Sequence, residues 1–243
     1  MSAQAAEFRR GAIRPVECFS AGWQLVKQRY WLMLGITLVG VLVGSVAPFG
    51  VLMGPMMCGI HLCMFALMRN EEVSFNLLFK GFDFFVQSLI AALVQIVPVF
   101  IVVVPASVLL GVAAAMAAAA NEGRDPGPEF AVGLLIGYVL FFALVLGVSL
   151  VVGTIFMFTF QLVADRRISG IDACKLSMKA VFGNLGGAIG LMLLTFLLGL
   201  VGALLCCVGA YLALPVSIAA LDVAYRQVFP PLQPTAPPQY SPL

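Results

Sequence analysis

Four stretches of this chain, residues 31–68, 84–121, 130–164 and 180–221, contain no Asp, Glu, Lys or Arg over 38, 38, 35 and 42 positions. About 20 apolar residues in helical form cross the hydrocarbon of a bilayer, so each stretch exceeds one crossing. Without water, unpaired backbone amides cost several kcal/mol, which leaves helices or a closed barrel. A barrel would show alternating segments of about ten residues. Runs such as Leu89 to Val94 do not alternate. The sequence therefore predicts an all-α, polytopic transmembrane helix bundle. With 62% hydrophobic residues, 10% charged and a mean hydropathy of +1.09, too few polar residues remain to cover a solvated globule.

Breaks within the stretches set the helix count. Pro48-Phe49-Gly50 and Gly54-Pro55 divide the first into helices at about 31–47 and 52–68. Cys206-Cys207-Val208-Gly209 divides the last into helices at about 184–204 and 208–228. The middle stretches 84–121 and 130–164 read either as single overlong helices or as tight hairpins, with Pro98 and Pro105 as the turn positions in the second case. About six transmembrane helices result on the first reading. The polar segment 121–129 carries three acids and one base, which places it outside, and on that reading 12 basic residues fall on the cytoplasmic side against Arg124 alone. The expected topology is N-in/C-in, in the cell inner (cytoplasmic) membrane of a bacterium, as a multi-pass protein.

Three segments that lead into apolar stretches share one helical stripe: Val16, Phe19, Trp23, Val26, Tyr30; Phe75, Leu78, Phe82, Phe85, Leu89; and Ile171, Cys174, Met178, Val181, Leu185. Pro15 suits a first helical turn, Ser74 an N-cap, and Ser169 with Asp172 a capping box. These segments are expected to be amphipathic interfacial helices lying nearly parallel to the membrane. Trp23, Lys27, Arg29, Lys175 and Lys179 are then the candidate lipid-headgroup contacts. The first and third leads are offset by 155 residues, and a hairpin with proline in its second half follows each, so 15–69 and 170–226 read as a repeat. By domain, residues 1–14 form a cytoplasmic N-terminal segment and 15–228 the transmembrane helical domain. Residues 229–243, with six prolines in the last 14, form a disordered proline-rich cytoplasmic tail.

Glu17, Trp23 and Val26 before the first helix, Gly54-Pro55 and Gly59 opening the second, Asn76 to Phe82 after that hairpin, and Ala173, Ser177 and Gly183-Asn184 before the fifth form a further pattern. Over residues 12–228 the chain resembles bacterial YciC-like membrane proteins and the membrane domain attached to some glycerophosphodiester phosphodiesterases. The resemblance implies a six-helix inner-membrane protein. The phosphodiesterase catalytic domain is absent from this sequence, so no catalytic residue carries over.

Candidate chemistry is sparse. Cys58, His61 and Cys63 are soft-metal ligand types, but on a helix Cys63 points about 160° from His61, so no metal site is expected. His61, the single histidine, is expected to bond a Thr or a backbone carbonyl, and ion-coupled transport through the core is expected to be absent. Glu71 and Glu72 read as a solvated turn beside Arg69, and no nucleotide-binding glycine loop occurs, so no enzymatic activity and no cofactor are expected. Small-xxx-small pairs such as Gly40…Gly44, Gly133…Gly137 and Gly186…Gly190 read as packing inside the bundle. Membrane lipids are the expected partners, with a homo-oligomeric or other membrane-complex partner left open. The net charge of +2 gives no reason to expect nucleic acid. The leading expectation is non-enzymatic assistance in lipid, envelope or membrane-complex organisation. The alternative is a facilitator or channel-like transporter of a neutral or lipid-like solute, using Thr37, His61, Gln87, Gln95, Tyr138, Gln161 and Thr195.

Overall fold

A computed structural model describes residues 7–47, 50–120, 127–204 and 208–231. The turn at Pro48-Phe49, most of the acidic segment with Arg124, the Cys206-Cys207 break and the tail beyond Pro231 lie outside those residues. Among the described residues every regular element is a helix: α1 Pro15–Val26, α2 Tyr30–Val46, α3 Met53–Met68, α4 Phe75–Phe79, α5 Phe85–Ala120, α6 Pro128–Ile155, α7 Thr159–Arg166, α8 Gly170–Phe182, α9 Leu185–Leu204 and α10 Val208–Val228. Short 3₁₀ turns, Lys27–Arg29 and Lys80–Phe84, join α1 to α2 and α4 to α5. Five stretches are long and apolar enough to cross a membrane: 15–46, 75–119, 128–166, 185–204 and 208–228. α3, with 16 residues, is a shorter apolar helix.

Neither middle stretch folds back as a hairpin: 84–121 is taken up by the single helix α5, and 130–164 by α6 followed, after a turn at 156–158, by α7. α5 runs 36 residues with Pro98 and Pro105 inside it, and α6 runs 28. At about 1.5 Å per residue α5 is about 54 Å long, well beyond the roughly 30 Å of hydrocarbon. Most described side chains of its second half are exposed and none is buried, and α6 buries none of its residues. This hairpin therefore stands out from the packed body.

The body is built from three units of one plan, each a lead, an outgoing helix and a returning helix. They are α1–α2–α3, α4–α5–α6/α7 and α8–α9–α10. In the first and third units all three helices start at matching places, 15, 30 and 53 against 170, 185 and 208, a constant offset of 155. Local signals agree with the sequence at the leads. Pro15 opens α1, Ser74 sits at the N-cap position of α4 without a side-chain cap bond, and the Ser169 hydroxyl accepts from the Asp172 amide at 3.2 Å.

The leads are not separate surface helices, however. Each lies lengthwise against a returning helix. α1 runs antiparallel along α10, from the Arg14 amide on Gln227 Oε1 (3.1 Å) to the Tyr30 hydroxyl on the Leu212 carbonyl (2.6 Å). α4 follows α3, with Gly59 against Leu78 and Gly81 against Pro55. α8 follows the end of α6, where the Ser177 hydroxyl donates to the Ile155 carbonyl (3.0 Å) and accepts from the Phe158 amide (3.2 Å). For α1 and α4 the physical reason is a glycine on one of the two facing helices. A Cβ at Gly22 would meet the Ala220 nitrogen at 2.7 Å, so glycine there lets two backbones touch.

The three returning segments, α3, α7 and the end of α10, meet at the centre. α3 is largely enclosed, with Met56, Cys58, Ile60, Cys63 and Met64 wholly buried. The packed body continues past α10: Phe229 is fully buried against Phe8, Phe158 and Tyr225, and the Pro230 carbonyl accepts from Arg166 (3.0 Å). The expected tail boundary at 229 thus falls two residues early, because an aromatic core outweighs the proline composition. The N-terminal segment is also tied down. The Arg9 amide donates to Val228, and Asn184 bonds the Ala12 amide and the Arg9 carbonyl.

Candidate functional site

On α3 the turn-to-turn face of His61 and Phe65 looks inward, and on α10 the face of Asp222 and Arg226 does the same. Each pair is four residues apart, one helical turn of about 5.4 Å. α7 contributes Gln161 and Asp165 at the same spacing. Two levels result. At the inner level His61 Nδ1 lies 2.8 Å from Asp222 Oδ1 and 3.0 Å from Oδ2, with the imidazole 1% exposed and the carboxylate fully buried. The Gln161 amide, also fully buried, faces that carboxylate without reaching close hydrogen-bond geometry. So His61 is bonded to a carboxylate 161 residues away, and not to a hydroxyl or backbone carbonyl as the sequence suggested.

At the outer level Arg226 grips Asp165 with both guanidinium nitrogens (2.7 and 3.0 Å), and Tyr225 donates to the same carboxylate (2.8 Å). Arg226 also sits 4.4 Å over the Phe65 ring. Phe65, Asp165 and Arg226, with Met68, Arg69 and Pro231, line a cavity of about 400 Å³ at this end of the bundle. Arg69 at its rim bonds Glu71 (2.7 and 2.9 Å), and this hydrogen bond holds the exposed Glu71 carboxyl below its ordinary range.

The soft ligands do not converge. Cys58 Sγ points to the Phe160 carbonyl (3.7 Å) and Cys63 Sγ to that of Ser74 (4.0 Å). No group of three His, Cys, Asp or Glu suited to a metal occurs among the described residues. Of the polar residues considered for a solute path, His61 and Gln161 meet at the inner level and the rest are dispersed. Thr37, Gln95 and Thr195 bond carbonyls of their own helices, Gln87 accepts from Gly170 at the start of α8, and Tyr138 is about half exposed.

The lipid-contact candidates fall into two patches on different helices. Trp23, half exposed, packs edge-on to Tyr30, with exposed Lys27 and Arg29 beside it. On α8 the exposed face carries Ile171, Lys175, Met178, Lys179 and Phe182. Phe182 continues into an apolar groove of about 390 Å³ between α6, α8 and α9, lined among others by Leu150, Thr154, Ile189, Leu193 and Phe196. Sequence reasoning missed both the groove and the His61–Asp222 contact. Asp222 lies one residue past a charge-free stretch, which was the only local sign of it.

No family model matches the chain, and no solved structure matches it significantly. It is similar to the uncharacterized protein Rv2560 of Mycobacterium tuberculosis, 35% identical over 107 residues, which are 43% of this chain and 33% of that protein. The uncharacterized protein Mb2590 of Mycobacterium bovis is 34% identical over a stretch of the same length and coverage. The chain thus spans about a third of the length of these curated relatives. What the fold itself defines is a class: an all-helical chain with several membrane-length apolar helices, the architecture of an integral membrane protein.

Proposed function

We propose that this is a non-enzymatic, multi-pass protein of a bacterial cytoplasmic membrane that binds lipid and organises lipid, envelope or membrane-protein assemblies. It crosses six times, with α3 as the short sixth span and both ends in the cytoplasm. The basic-residue asymmetry, the resemblance to YciC-like proteins and the likeness to mycobacterial proteins support that placement.

The observation that carries the lipid reading is the lateral groove beside Phe182, with Lys179 and Lys175 one and two turns back on the same helix. An acyl chain fits an apolar groove open to the side, and the two ammonium groups suit a lipid phosphate at about 1 kcal/mol each. Trp23, Lys27 and Arg29 provide a second headgroup patch. The dispersal of Thr37, Gln95 and Thr195 onto their own backbones weighs against the facilitator alternative.

The test is photocrosslinking of a diazirine-tailed anionic phospholipid to the protein in nanodiscs, with adducts mapped by mass spectrometry. Adducts concentrated on α6, α8 and α9, lost severalfold in Ile189→Trp and reduced about fivefold in Lys179→Glu, are expected. Labelling spread evenly over all lipid-facing helices, unchanged in both variants, would refute the proposal.

A further inference from the structure

His61, Asp222 and Gln161 come from the three returning helices and meet on the axis of the bundle, one turn beneath the cavity lined by Phe65, Asp165 and Arg226. Buried ionisable groups at membrane depth are expensive and are kept where they handle charge. Here the imidazole and carboxylate are within 3 Å of each other, both nitrogens and oxygens being shut from solvent, and the Gln161 amide beside them has neither of its polar atoms satisfied. A core that needed only packing would place apolar side chains there, because a buried pair stabilises no better than well-packed hydrophobes.

We propose that this cluster is a proton-binding site served from the cavity. In the deprotonated state a neutral imidazole stands beside an ionised carboxylate. One proton delivered from cavity water converts it to an imidazolium–carboxylate pair, and the hydroxide left behind is neutralised by buffer. Phe65, which lines the cavity one helical turn from His61, packs on Tyr225 with ring centroids 5.5 Å apart.

The surrounding charges do not substitute for that proton. Arg226, one turn along α10, is engaged by Asp165, and Tyr225 donates to the same Asp165. Arg166 on α7 lies 5.4 Å over the Phe229 ring and bonds the Pro230 carbonyl. On α3 the titratable neighbours are Cys58, turned to the Phe160 carbonyl, and Cys63, turned to that of Ser74, and α1 adds buried Cys18. α2 presents only Thr37 among its buried polar groups, and Lys80 and Asp83 after α4 are exposed. None of these groups hydrogen-bonds the pair, and Arg226 acts on Asp222 only through space, so the proton that the pair binds is its own.

The chain's single histidine makes the test free of assignment. The full-length protein, labelled with ¹⁵N-histidine in nanodiscs, is titrated between pH 4 and 10 and the two imidazole nitrogen resonances are followed. One reversible protonation step is expected, and Asp222→Asn should lower the proton affinity about tenfold or more, since an adjacent carboxylate stabilises the charged imidazole. Should Asp222→Asn not accumulate, Asp222→Glu keeps the charge and moves it by a methylene, and the midpoint should still shift. Imidazole resonances that stay constant across the range in the wild-type protein would overturn the proposal, as would a titration identical in wild type and in the folded Asp222 variant. Lipid crosslinking plays no part in this measurement, so the two readings fail separately.

Discussion

At the centre of α3 the imidazole of His61 and the carboxylate of Asp222 each remove the other's need for water. Truncating one partner leaves a buried charge or donor alone, which typically costs about 3–5 kcal/mol, whereas replacing both by apolar groups is often close to neutral. His61→Leu should accordingly destabilise the protein strongly in thermal unfolding in nanodiscs, and adding Asp222→Leu should recover much of the loss. A double variant as unstable as the sum of the singles would show that the pair contributes more than mutual compensation. Cys174 on α8 offers a second residue-scale test. Burial pushes its thiol up to about 11, and the thiolate is the reactive form. In a variant keeping Cys174 as the sole cysteine, maleimide labelling at pH 8 should run on the order of a hundredfold slower than in the same chain unfolded in detergent.

Among elements, the glycines separate packed helix faces from open ones. Gly22 and Gly59 touch neighbouring backbone, while Gly133 and Gly186 have open space around the place of a side chain. The small-xxx-small spacing alone does not make that distinction: Gly40 and Gly44 meet Ile60 and Met53 on α3, but Gly133 meets nothing. Gly22→Leu should cost at least the 1–3 kcal/mol typical of an overpacked core, by separating α1 from α10. Gly133→Leu should leave the melting temperature unchanged or raise it, because glycine is a poor helix former. Equal effects at the two positions would contradict the packing of the leads against the returning helices.

For the molecule as a whole, the length of the α5–α6 hairpin and the C-terminal boundary both have measurable consequences. About 54 Å of helix in about 30 Å of hydrocarbon leaves the far end of α5 in water unless it tilts steeply. Ala118→Cys, in a background lacking the native cysteines, should label with a membrane-impermeant maleimide from the non-cytoplasmic side; protection there would mean a strongly tilted hairpin. Deleting residues 232–243 should leave accumulation and melting unaffected. Deleting from Phe229 onward should destabilise the protein, because that ring fills the aromatic cluster with Phe8, Phe158 and Tyr225.

Charge-free runs of 35 residues or more determine helices by themselves, since burial in lipid forces every amide to bond within its own segment. The helix bounds of α3, α9 and α10, the capping of α8 and the repeated leads were legible for the same reason: they depend on neighbours within a few positions. Three matters depended on distant contacts. Pro98 and Pro105 remained ambiguous because a proline in a long helix is tolerated or not according to what surrounds it, and here α5 passes through both. The leads carry an amphipathic stripe whatever they face, so the stripe could not reveal that glycine contacts draw α1 along α10 and α4 along α3, or that Ser177 ties α8 to the end of α6. His61 gives no sequence sign of its partner, because helical periodicity reports which face a residue occupies and never which helix lies opposite. Only the meeting of three returning helices brought Asp222 and Gln161 to it.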